Sequence, residues 1–211
     1  MQQCKDVVNE IARWLKEGRP DADNLVDFPW EVEIVDEKSV RAIHPRFPIE
    51  ITIFCSDDTK SIRAVILTNI PTINLDNKDR VMIYRKLLRL NNIPVAKTLL
   101  YGDEDYIGVA SDMSIHSLGK KEFNDALAFL IALLISVARE TGFEEELYKR
   151  LIEELSRLVS KHFEEGWSRE KLVKYLVETV GMNPSDAEDF LESIGIKAKD
   201  IISRIRESMS M

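Results

Sequence analysis

Three histidines, two cysteines and two short acidic clusters are the residues whose types could carry chemistry, and their spacing decides against it. His44, His116 and His162 fall in three different segments. None has a second histidine, cysteine or carboxylate at the spacing that a preformed metal face needs, so each is expected to be structural or solvent-facing. Nucleophilic catalysis requires a base beside the attacking atom. Cys4 lies on an expected helix with no evident basic neighbour in space, and Cys55 ends an apolar strand face, so both read as structural. Asp57 with Asp58, and Asp103, Glu104 and Asp105, would offer carboxylate oxygens to a hard cation. They stand in turns without the ligand spacing of an EF-hand loop, and solvation explains them better. No G-x-S-x-G elbow, G-x-x-x-x-G-K-[ST] loop or G-x-G-x-x-G turn is present. The expectation is a protein without catalytic residues, metal ligands or cofactor: not an enzyme.

Bulk properties narrow the class. With 211 residues, 45% apolar and 31% charged, the chain can bury a sizeable core and contains no low-complexity tract. The formal charge of -8 is spread along the chain. Residues 143–211 hold 11 Lys/Arg against 15 Asp/Glu, and the remainder holds 18 against 22. That balance disfavours broad attraction to nucleic-acid phosphates or anionic lipid. Two distant cysteines do not make the dense framework of a secreted domain, and the first residues read as an amphipathic helix without the apolar centre of an export signal. The cytoplasm is therefore the expected compartment. The apolar run at residues 126–138 is too short to span a bilayer and fits a helix buried on most sides within the protein.

The elements that must position these residues follow from periodicity. Val7, Val8, Ile11, Trp14 and Leu15 recur at helical spacing until Gly18 and Pro20 intervene. From Trp30 the period becomes two, with Val32 and Ile34 alternating with glutamates. Further strands are expected over residues 39–43, 49–55 and 62–67, joined by short polar turns that favour an antiparallel meander over parallel units. A helix over residues 77–90, with Val81, Tyr84, Leu87 and Leu88 inward, ends before Pro94. Two strands then flank the turn GDED, and a long helix over about residues 121–141 closes the unit at Gly142.

This order, with the phrasing of YRKLLRLNN, KTLLYGDEDYIGVASDM and KKEFNDALAFL, resembles the type III secretion chaperone-like fold. The resemblance covers residues 1 to about 142. It implies an α+β fold, an antiparallel twisted sheet flanked by helices, and a small acidic homodimer that binds a segment of another protein without catalysis. It assigns no individual residues.

Residues 143–211 depart from that pattern as an all-α extension. Leu147, Leu151, Leu155, Leu158 and Val159 make a stripe, Gly166 breaks it, and Ser168 caps a helix reaching Val180. Pro184 opens a shorter helix ending at Gly195, and a last helix is expected over residues 199–208. The expected division is thus a sheet domain over 1–142 and a helical extension over 143–211. A set including Leu172, Tyr175, Leu176, Phe190, Leu191 and Ile194 would core a bundle too small to stand alone, so it should dock or dimerise.

One anomaly carries the functional expectation. Val35, Phe54, Val65 and Leu67 occupy the second face of the sheet, where a solvated antiparallel face normally carries polar residues. The C-terminal helices, a second subunit or a client segment are the possible covers. Phe54, Val65 and Leu67 are the expected partner contacts of a protein-binding, chaperone-like homodimer. The alternative is a nucleic-acid adaptor using the helical extension, where Arg169, Lys171 and Lys174 cluster near a helix start. The acidic balance weighs against it.

Overall fold

The spacing of Val7, Val8, Ile11 and Leu15 gives α1 (Cys4–Lys16) a single apolar face, and that face is fully buried. Gly18 stops the helix for a reason of contact. A Cβ at that position would lie 2.0 Å from the carbonyl oxygen of Phe28, so only glycine lets the following loop fold back. The return is fixed by Arg19 N–H donating to Asp27 O (2.7 Å), Trp30 N–H to Leu15 O (2.9 Å) and the Trp30 indole to Leu25 O (2.7 Å). The computed structural model describes residues 4–196.

Six strands follow: β1 (Glu31–Asp36), β2 (Ser39–Ile43), β3 (Glu50–Ser56), β4 (Ser61–Pro71), β5 (Ala96–Tyr101) and β6 (Tyr106–Ser114). They form one antiparallel sheet in the order β1-β2-β3-β4-β6-β5. Between β4 and β5 lies α2 (Asn77–Leu90), whose first turn is capped by the Asp76 carboxylate accepting from the Lys78 and Asp79 amides. After β6 comes α3 (Lys120–Thr141), closed by Gly142 at φ 83°. The fold is α+β, an antiparallel sheet flanked by helices with further helices at the C-terminal end, as the alternation of periods implied.

The first face of the sheet holds the main core. Val40, Ala42, Ile51, Ile53, Ile62, Ala64, Ile66 and Val109 meet α1 over β1 to β3 and α3 over β4 to β6. Each large aliphatic side chain enclosed there contributes roughly 1.5–3 kcal/mol. The two cysteines, read separately from the sequence, are joined: Cys4 on α1 and Cys55 on β3 form a disulfide across this core.

Two helices differ from their sequence reading. On α2, Ile83 and Leu87 point inward while Val81 and Leu88 face solvent. The helix carries apolar residues on several sides, so periodicity placed its inner stripe only in part; Leu87 is buried and Tyr84 is half-buried against the core, both as expected. On α3, the apolar run is not enclosed on most sides. Phe129 and Ile135 are exposed, as are Ala128 and Ala132. One face of a helix in a surface layer remains in water whatever its composition.

The C-terminal part comprises α4 (Glu144–Glu164), α5 (Arg169–Tyr175), which continues as one π-helical turn over Leu176–Val180, and α6 (Pro184–Ser193). Leu147 and Leu151 of α4 join the main core. Leu155 and Val159 of the same helix enter a second cluster with Leu172, Leu176, Ala187, Leu191 and Ile196. Helix α4 is therefore a splint shared by two cores, and the small bundle docks as its size requires. The helix expected over residues 199–208 lies outside the described residues.

Candidate protein-binding face

The second face of the sheet is built in rows by strand register. One row runs Glu31, Ile43, Glu50 across β1 to β3, with Leu67 and Leu99 flanking Gly108 further along. The next reads Glu33, Arg41, Thr52, Val65, Ala110, Lys97, and a third Ser39, Phe54, Arg63, Asp112. Helix α4 crosses the first row. Its Arg157 guanidinium donates to Glu50 (3.2 Å), and its Leu147, Arg150 and Glu154 line a recess with Ile49, Glu50, Thr52 and Leu67. The C-terminal helices thus cover one end of this face and leave the other open.

Phe54 stands in the open third row, 47% exposed, and Leu67 is 41% exposed at the margin of α4. Val65 lies between them in the chain's β3-β4-β6 interior, with Thr52 and Ala110 as strand partners, and is only 7% exposed. It can supply the floor of a contact and little of its surface. Val35, at an irregularity in β1, is exposed on the sheet edge.

Beside Phe54 the charges are ordered. The Arg63 guanidinium forks onto Asp112 (2.6 and 3.1 Å), and Lys97 pairs with the same carboxylate. The hydrogen bonds from Arg63 hold the Asp112 carboxyl below its usual range, so the cluster stays ionised at neutral pH. Arg41 similarly bridges Glu33 and Glu50. A half-exposed aromatic ring next to fixed charges can bind an apolar side chain and orient the polar groups around it.

Several of the remaining chemistry-bearing residues are occupied structurally. His44 is buried between the rings of Phe28 and Trp30, and its Nδ1 accepts from the Arg46 and Phe47 amides (3.2 and 3.1 Å). Burial, with Arg46 nearby, lowers its pKa to about 4, so it is neutral. His116 is exposed. Asp57 pairs with Lys38 (3.0 Å), and Asp105 accepts from the Tyr84 hydroxyl (2.8 Å). Among the described residues, no group of His, Cys, Asp or Glu is arranged to hold a metal ion. Also among them, no helix is long and apolar enough to cross a membrane.

Sequence reasoning missed the junction built by His162. This buried imidazole pairs with Glu31 (3.1 Å) and Glu165 (3.2 Å), stacks on Trp167 at 4.1 Å and meets the edge of Tyr175. Burial alone would lower its pKa; the two carboxylates outweigh that and raise it. The Lys171 ammonium lies over the Trp167 ring, 3.6 Å from its centroid. The spacing of His162, Trp167 and Tyr175 was visible, but Glu31 lies in a distant segment. Arg169 is used internally on Glu188 and Glu192, and Lys174 on Glu178.

Comparison with known proteins adds a family. No curated protein matches. A chain in the crystal structure of the ExsC-ExsE complex is similar over 60% of this chain and 89% of its own length, at 13% identity and a TM-score of 0.33, too loose a likeness to carry an argument. A family model named HTH_78, described as a domain of unknown function, matches residues 142–210. Residues 10–140, more than half of the sequence, match the model described as "Domain of unknown function (DUF8183)", and the chain belongs to that family.

Proposed function

We propose that the protein is a non-enzymatic, chaperone-like protein-binding module that works as a homodimer and takes a segment of another protein on the open end of its second sheet face. Phe54 is the observation that carries this reading. An aromatic side chain in an interior strand, half-exposed beside the Arg63, Asp112 and Lys97 cluster, has the composition of a binding hot spot. Leu67 extends the contact toward α4, with Val65 beneath. No cofactor is assigned to the site.

The cytoplasm remains the proposed compartment. The Cys4–Cys55 bond is the observation that weighs against it, since disulfides belong mainly to oxidising compartments; burial of both residues, 2% and 6% exposed, would slow its reduction.

The test is a pull-down with full-length wild type and Phe54→Asp, alongside light scattering. The substitution puts a charge on an already exposed position, so it should leave folding intact and abolish partner capture. A monomeric wild type whose binding is indifferent to Phe54→Asp overturns the proposal.

The nucleic-acid reading is the weaker one. If α5 and α6 acted as a helix-turn-helix pair, the second helix would face the groove with Asp186, Glu188, Asp189 and Glu192 and no basic residue. Binding of duplex DNA or RNA at low ionic strength, weakening with salt, would restore it.

A further inference from the structure

The outward face of α3 is apolar and carries its own charge complement. At about 100° per residue, Asp125, Ala128, Phe129, Ile135, Ser136 and Arg139 all lie within about 60° of the direction of Ala132. All are exposed except Ser136, which is half-buried and whose hydroxyl already donates to Ala132 O (2.9 Å), so it leaves no unmet donor. Phe129 and Ile135 are each 41% exposed. Asp125 and Arg139 make no ion pair among the described residues and stand at opposite ends of the stripe.

These positions are symmetric about Ala132. Laid antiparallel on a second copy across a twofold axis at that residue, α3 would bring Asp125 opposite Arg139 and Ala128 level with Ser136, with the Phe129 of both copies along one flank of the seam and the Ile135 of both along the other. Each of the first two pairings would occur twice. Ala128, Ala132 and Ser136 are small enough for the helices to approach at about 8 Å, the short end of ordinary helix packing. Apolar burial would supply the attraction, and the end charges would reject a parallel arrangement, in which Asp125 faces Asp125 and Arg139 faces Arg139.

We infer that the protein dimerises through α3, antiparallel about a twofold axis at Ala132, with reciprocal Asp125 to Arg139 ion pairs. The inference rests on the homodimer in the proposed function and gives it a geometry. It places the dimer on the helical layer, away from Phe54, so both copies would keep the open sheet face free.

Charge reversal and cross-linking test it in the full chain. Asp125→Arg and Arg139→Asp should each weaken dimerisation at least tenfold by analytical ultracentrifugation, and the double variant should restore it. Unchanged circular dichroism is expected, since both positions are exposed. Ala132→Cys should form an intermolecular disulfide under mild oxidation, whereas Lys16→Cys should not. A dimer that ignores the reversals and fails to cross-link at position 132 overturns the α3 axis while leaving the homodimer intact. A wild type that stays monomeric overturns both, and neither outcome bears on Phe54→Asp in the pull-down.

Discussion

His162 and His44 give the protein opposite responses to pH. The folded pKa of His162 is raised, so its contribution is fully present below the ordinary histidine value and is lost as pH rises through the raised one. Glu31, lowered chiefly by its bond to His162, contributes above the ordinary carboxylate value and loses that contribution as pH falls. The His162 junction therefore holds best in the mildly acidic window between the two. The stability difference between wild type and His162→Gln in urea denaturation should be larger at pH 6 than at pH 9. His44 runs the other way. With a folded pKa of about 4, it contributes stability above the ordinary histidine value of ~6.5 and loses on the order of 3 kcal/mol as pH falls through that interval. His44→Phe should lack this loss in urea titrations between pH 7 and 4, whatever its absolute stability. The isolation of His44 before Pro45 left it structural or solvent-facing, and its burial between Phe28 and Trp30 makes it structural. The role of His162 was not legible, because that residue lies on α4 while its partner Glu31 opens the distant strand β1, and only the tertiary fold brings them together.

At the scale of elements, Gly18 and the disulfide control how α1 meets the sheet. Gly18→Ala would drive a methyl group into the Phe28 carbonyl, backbone with little room to move, and should cost about 3 kcal/mol or prevent folding. Reducing the Cys4–Cys55 bond opens a loop with a sequence separation of 51 residues, and the chain-entropy model gives up to about 4 kcal/mol for its closure. A matched pair of thermal melts, with and without reductant under conditions that unmask the buried bond, should show the reduced form melting lower; coincident melts would mean that the bond contributes nothing. The strands and most helix limits were legible because period two and period 3.6 alternate cleanly along the chain. The inner stripe of α2 was legible only in part: Tyr84 and Leu87 turn inward as their spacing implied, whereas Val81 and Leu88 face solvent and Ile83 is buried instead. The pairing of Cys4 with Cys55 depended on docking α1 on β3, which no spacing in the sequence encodes.

For the whole molecule, the arrangement is a sheet clothed on one face by α1, α2 and α3 and on part of the other by α4. The sequence singled out Phe54, Val65 and Leu67 by their apolar character at positions meant for water. It did not distinguish the row that α4 crosses from the row it leaves open, because that depends on where a helix from the C-terminal part comes to rest. Phe54 and Leu67 reach solvent, and Val65, between Thr52 and Ala110, is buried. The most direct measurement replaces Phe54 with a photo-crosslinking phenylalanine analogue in the full chain and illuminates the protein in its native cells, with the same analogue at Lys16 as the control. Expected is one discrete cross-linked protein partner from position 54 that is absent from position 16. No cross-link from position 54, or the same products from both positions, contradicts a binding site on the open sheet face.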